Sequence, residues 1–167
     1  MKKILLFPIM ILLVFISACT ETKGDHSTNE SMTPSQKAEN DLEIIIKSIN
    51  EHDTDSIKAL LNKTVCGSIE VESEINQMFE FIDGDIVSYD DPFGSATGSS
   101  EKKDAGAKIQ SLKTDKGTEY YIAIKEWYSY DENPEQIGIY NITVKNNSII
   151  SSESESDNAV YRLNADK

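Results

Sequence analysis

Glu126 is the residue whose surroundings in the sequence could make it a catalyst. Between Glu119 and Tyr130 the chain alternates, so Tyr120, Ile122, Ile124, Glu126, Tyr128 and Tyr130 share one face of a strand. Tyr121, Ala123, Lys125, Trp127 and Ser129 share the other. A carboxylate on the apolar face, among tyrosines, is desolvated, which raises its pKa toward that of a general base. Tyr128 and Tyr89 complete the group such a small-pocket isomerase or hydrolase would use. The competing reading pairs Glu126 with a lysine at an open mouth, or turns it outward at a bulge. The second reading is the expectation here, because a fold by itself assigns no chemistry.

Other residue types that carry chemistry are present without the spacing they need. Asp83-Gly84-Asp85 and Asp90-Asp91 are fragments of a calcium loop lacking the alternating ligands and terminal glutamate, so they read as caps and turn formers. Zinc spacing is absent, and no metal or cofactor is expected. Gly94 and Gly98 lead into serines rather than into a lysine and a helix, so no phosphate loop forms. No nucleophile elbow occurs, and the two histidines, His26 and His52, fall in a polar stretch and a helix break. Cys66 reads as a small buried hydrophobe near a helix end.

The N-terminus carries a targeting signal. Lys2 and Lys3 precede the apolar run Ile4 to Ile16, which is shorter than the ~18–20 residues that span a bilayer. Ile16-Ser17-Ala18-Cys19 resembles the bacterial lipobox, which implies cleavage before Cys19 and a diacylglycerol on its thiol. The expected organisation is a lipoprotein signal peptide at 1–18, a flexible tether at 19–33 with lipidated Cys19, and one domain at 34–167. The expected location is the extracellular face of the cell membrane, anchored by lipid.

Charge narrows the partners. The formal net charge is −13, and about −15 without Lys2 and Lys3. Nucleic acid is excluded, since phosphates need a basic surface. Anionic lipid is disfavoured for the same reason, which leaves anchoring to the acyl chain. With Cys19 lipidated, Cys66 has no partner for a disulfide. The single arginine, Arg162, among many lysines and a wealth of Ile and Asn fits an AT-rich, Gram-positive source.

Behind these residues lies a change of rhythm. Thr33-Pro34-Ser35-Gln36 is a capping box that opens a helix with its apolar stripe at Ala38, Leu42, Ile45, Ile46 and Ile49. A second helix, capped by Asp53 or Thr54, carries Ile57, Leu60 and Leu61 to Gly67. Ser68 caps a third with Val71, Ile75, Met78, Phe79 and Ile82 inward, Phe81 off the stripe, and Gly84 as a left-handed stop. After Gly84 the period is two. Strands are expected at Ile86–Tyr89, weakly at Lys108–Leu112, at Glu119–Tyr130, at Gln136–Val144, and at Ser148–Glu153 resuming at Val160–Leu163. Gly94 to Ser100 is open between strand and loop.

Helices followed by an antiparallel meander make an α+β fold, with N-terminal helices laid on a bent sheet. That outline is similar to the NTF2-like, or cystatin-like, cone. The lipobox with Phe79-Glu80-Phe81-Ile82-Asp83-Gly84-Asp85-Ile86-Val87-Ser88-Tyr89, Leu112-Lys113-Thr114-Asp115-Lys116-Gly117 and Tyr130-Asp131-Glu132-Asn133-Pro134 resembles a family of Gram-positive lipoproteins carrying a domain of unknown function. The resemblance spans about Leu42 to Val144 and implies fold and location but no catalytic residues. Two functions stand at this point. One is a non-enzymatic, membrane-tethered domain that binds a protein, peptide or small molecule. The other is the small-pocket enzyme on Glu126. A transporter's solute-binding lipoprotein would need two lobes and a longer chain.

Overall fold

A computed structural model describes residues 32–99, 101–147 and 160–164. The expected signal peptide, Cys19, nearly all of the expected tether, and the segment Ser148–Glu153 where a strand is expected lie outside the described residues.

The chain begins with α1 (Pro34–Glu51), and its start follows from the sequence. The Thr33 hydroxyl accepts from the Gln36 amide at 3.4 Å, and Gln36 Oε1 accepts from the Thr33 amide at 2.9 Å. Its stripe Ala38, Leu42, Ile45, Ile46 and Ile49 is buried. The helix closes on His52, a non-glycine residue in the left-handed region, whose N–H donates back to the Ser48 and Ile49 carbonyls.

The expected second helix is two. α2 (Thr54–Leu60) is capped by Asp53, and α3 (Lys63–Cys66) by Asn62. The chain breaks between them because the Asn62 amide leaves the helix to donate to the Ile139 carbonyl at 2.9 Å. Asn62 Oδ1 then caps the new helix at the Val65 amide. The next helix, α4 (Val71–Phe81), has no side-chain cap at its N-terminus. Ser68 accepts from the Glu70 amide and lies two residues ahead of the N-cap position, so its expected capping role is corrected to a local turn. Phe81, off the apolar stripe, is nonetheless packed, edge-on to Tyr120 and against Tyr161.

Gly84 supplies the stop, with φ +94°. It delivers the chain to β1 (Ile86–Tyr89), which Asn50 clamps to α1 by bonding both the Ile86 amide and its carbonyl. Phe93–Gly98 is a strand, β2, which settles most of the ambiguous segment. β3 (Lys102–Thr114) is far longer than the weak strand expected at Lys108–Leu112, since small residues such as Ala105, Gly106 and Ala107 pair as well as large ones. β4 (Glu119–Tyr130) has the expected bounds. A 3-10 turn at Pro134–Gln136 delays β5 to Gly138–Asn146, and β6 (Val160–Asn164) is the last strand.

All strands pair antiparallel in the order β1-β3-β4-β5-β6, with β2 also on β3. The fold is α+β, with helices packed on one face of a bent antiparallel sheet. α1 lies across β2, β3 and β4. Close approach is allowed by Ala38, Ala105 and Ala107, all buried, and by Gly94, where a Cβ would stand 2.5 Å from the Ser35 carbonyl. The core between the layers is apolar, with Leu42, Ile45, Ile75 and Met78 from the helices meeting Ile109, Ile122, Ile124 and Ile142 from the sheet.

Candidate functional site

The strand β4 sends residues to both faces of the sheet, and each face holds a cluster of charge. On the inner face Glu126 is fully buried, as the alternation requires, despite a register shift between Lys125 and Glu126. Two residues of the first turns of α1 meet it there. Lys37 Nζ donates to Glu126 Oε2 at 2.6 Å and to Asp41 Oδ2 at 2.5 Å. Asp41 itself is 4% exposed, and Glu126 Oε1 has no hydrogen-bond partner among the described residues. Burial pushes the Glu126 carboxyl up to about 7, against the attraction of Lys37 and with added repulsion from Asp41. Burial also opposes the Lys37 ammonium, but Glu126 and Asp41 together outweigh it and raise its pKa.

This cluster is a closed ion-pair network. The solvent-facing member is Lys37, whose side chain is 23% exposed, while the Glu126 side chain is fully buried. Tyr128 shares the inner side of β4 and packs at the edge of the core, with no hydrogen bond to Glu126 among the described residues. Tyr89 is not brought near. It pairs with Leu112, whereas Glu126 pairs with Ala105, seven residues along β3 and therefore roughly 23 Å away at ~3.3 Å per residue. Tyr89 is also exposed on β1. Lys37 and Asp41 went unread in the sequence, although their i, i+4 spacing beside the apolar stripe is the signal for them.

The remaining candidates occupy structural positions. Asp83 pairs with Lys116 at 2.5 Å on the surface, and Asp115 accepts from the Asp85 amide at 3.0 Å, which docks the Gly84 turn on the β3–β4 hairpin. Among the described residues no group of three or more His, Cys, Asp or Glu could hold a metal ion. Cys66 is half-buried at the end of α3, against the core. His52 is exposed, its ring 5.1 Å from that of Phe79.

Among the described residues no helix covers the outer face of the sheet, which holds a depression of about 460 Å³. Register builds it. Phe93, Lys108, Ala123, Thr143 and Arg162 form one cross-strand row over β2 to β6. Ser95, Gly106, Lys125 and Asn141 form the next row, and Tyr121 with Lys145 lies on the other side. The floor is therefore small side chains and the rim is cationic. Burial pushes the Tyr121 hydroxyl up. Beyond Lys125 the face ends in an aromatic group, where Trp127 stacks on Tyr140 at 5.0 Å and Lys102 Nζ sits 3.6 Å over the indole.

Fold and site together define an α+β domain with one helix-covered face and one open, cation-rimmed face. The chain belongs to the family described as a domain of unknown function (DUF5104), whose match spans residues 44–158. The match takes in Glu126 and the β2–β5 lining of the depression, and leaves Lys37, Asp41 and Arg162 outside it. No curated protein matches the sequence.

Proposed function

We propose that this protein is a Gram-positive lipoprotein, anchored through Cys19 to the extracellular face of the cell membrane, whose NTF2-like domain binds a ligand without transforming it. The anchor rests on Lys2, Lys3, the short apolar run and Ile16-Ser17-Ala18-Cys19. Among the described residues no helix is long and apolar enough to cross a membrane. The binding reading rests on one observation, the open depression on the outer sheet face. No cofactor enters this reading.

The alternative, an isomerase or hydrolase working through Glu126, Tyr128 and Tyr89, has the raised Glu126 pKa in its favour. It has the geometry against it, because the carboxylate is enclosed, ion-paired and remote from Tyr89.

Anchoring is tested by growing cells with labelled fatty acid. The wild type should take up label and Cys19→Ser should not; label retained by the variant refutes the anchor. Binding is tested by acetylation footprinting of Lys108, Lys125 and Lys145 with low-molecular-mass fractions of the growth medium. Protection of these lysines relative to Lys47 is expected, and uniform reactivity in every fraction would sink the proposal.

A further inference from the structure

We infer that the depression on the outer sheet face is a site for a small phosphorylated molecule, with the phosphate seated over the Ala123–Thr143 pair. The inference rests on the binding reading above and names its ligand class.

The sheet register carries the argument. Lys108 flanks Ala123 on β3, and Arg162 flanks Thr143 on β6. Lys125 lies two residues from Ala123 along β4, and Lys145 two residues from Thr143 along β5, in the opposite direction across the antiparallel pair. At ~4.8 Å between strands and ~3.3 Å per residue, all four Cα atoms stand roughly 7 Å from the midpoint of Ala123 and Thr143. Four cations thus ring a centre where the side chains are a methyl and a small hydroxyl.

Among the described residues no carboxylate pairs with that ring. The chain has 29 acidic residues against 16 basic ones. Yet among the described residues none of Lys108, Lys125, Lys145 and Arg162 forms an ion pair. Among the described residues the one carboxylate lining the depression is Asp104, which accepts from the Tyr140 hydroxyl at 3.3 Å toward the aromatic end. Mutual repulsion of four like charges is unfavourable without a counter-charge, and a surplus of carboxylates elsewhere makes the segregation specific to this face.

The geometry selects the anion. Lys108 Nζ rests 5.7 Å from the Phe93 ring and Lys145 Nζ 5.9 Å from the Tyr121 ring. From Cα positions around one centre these flexible side chains can swing in to a compact group with close to two charges and three acceptor oxygens, which a phosphate ester provides and a polycarboxylate distributes over a wider span. Arg162 offers a fork for two of those oxygens, and the lysines act as point charges. Phe93, 64% exposed at the end of the same row, gives the organic part an apolar shelf. A concave site of about 460 Å³ admits a small molecule and excludes a flat membrane.

The test is calorimetric titration of the full-length chain in nonionic detergent at fixed ionic strength, with inorganic pyrophosphate as probe and citrate as the polycarboxylate. Pyrophosphate should bind one-to-one and more tightly than citrate. The double variant Lys125→Ala/Arg162→Ala should weaken it about tenfold or more, with Lys47→Ala unchanged and thermal stability of both variants retained. Several results overturn the inference. Absence of pyrophosphate binding removes the site. Binding that survives the double variant places it elsewhere. Citrate binding more tightly replaces phosphate with carboxylate while leaving the binding reading intact. Displacement of pyrophosphate by micelles doped with phosphatidylglycerol, at equal phosphate, would assign the face to lipid headgroups.

Discussion

Lys125 and Glu126 are chain neighbours on β4, and the sheet sends them into opposite environments. Glu126 enters the helix-covered face, loses its water, and takes Lys37 as partner at 2.6 Å with Asp41 beside it. Lys125 enters the open face, keeps its water, and stands with three other cations, without an ion pair among the described residues. A buried charge must be matched within the fold, because desolvation costs several kcal/mol per ion and is recovered only through close pairing. An exposed charge can be left for a ligand. The inner cluster is therefore where stability and pH response are expected to reside, and the outer cluster is the site of the proposed binding.

The sharpest way to break that comparison is Lys37→Ala. It strands Glu126 beside Asp41 without a counter-charge, and should destabilise the fold by about 3 kcal/mol in chemical denaturation at pH 8. A loss below 1 kcal/mol would mean that water reaches Glu126 after all. A Lys37→Met variant, which retains the packing of the stem, should lose nearly as much.

Gly84→Val should cost about 2 kcal/mol, since valine disfavours φ +94° and its Cβ would fall 2.2 Å from the Asp115 carboxylate. That carboxylate also bonds the Asp85 amide, so the β3–β4 hairpin loses its tie to the turn. An unchanged melting temperature would refute the role of this turn.

The pH dependence follows from Glu126. Its folded pKa, about 7, lies above the ordinary value of 4.5, so the native state holds a proton that the unfolded chain releases. Its contribution is fully present below pH 4.5 and is lost as pH rises toward and through 7. Denaturation midpoints measured across that window should fall in the wild type and flatten in Glu126→Gln; equal slopes would show that another group governs the response. The smallest effect is expected outside. Lys125→Ala should move stability by no more than ~0.5 kcal/mol in the same assay, and a larger loss would mean that the open face is structural.

Much of this fold was readable from local rhythm. The capping box fixed the start of α1, and the alternation in β4 placed Tyr120, Ile122, Ile124 and Glu126 inward, as the sheet has them. Where side chains were small or polar the rhythm fell silent, as in β2 and the first half of β3. The break at Leu61–Asn62 was hidden as well, because its cause is a hydrogen bond to Ile139 across the fold.

The candidate sites were legible only in halves. The alternation pointed to Glu126 facing inward, and the competing reading paired it with a lysine at an open mouth; the carboxylate is instead fully buried, and its lysine is Lys37, 89 residues away in sequence. Lys108, Lys125, Lys145 and Arg162 each sit at an outward position of their own strand, yet nothing local says that they share a centre.

The sequence by itself determined most element types, the apolar stripes of α1 and α4, the inward face of β4, and the Ile16-Ser17-Ala18-Cys19 motif on which the proposed anchor rests. Local periodicity and capping act over a few residues, so a single chain displays them. Tertiary structure alone decided that Glu126 is closed off by α1 and that four cations from four strands meet around Ala123 and Thr143. Strand register and helix docking are set by the packing of the whole core, and a one-residue slip would have sent every one of those charges to the other face.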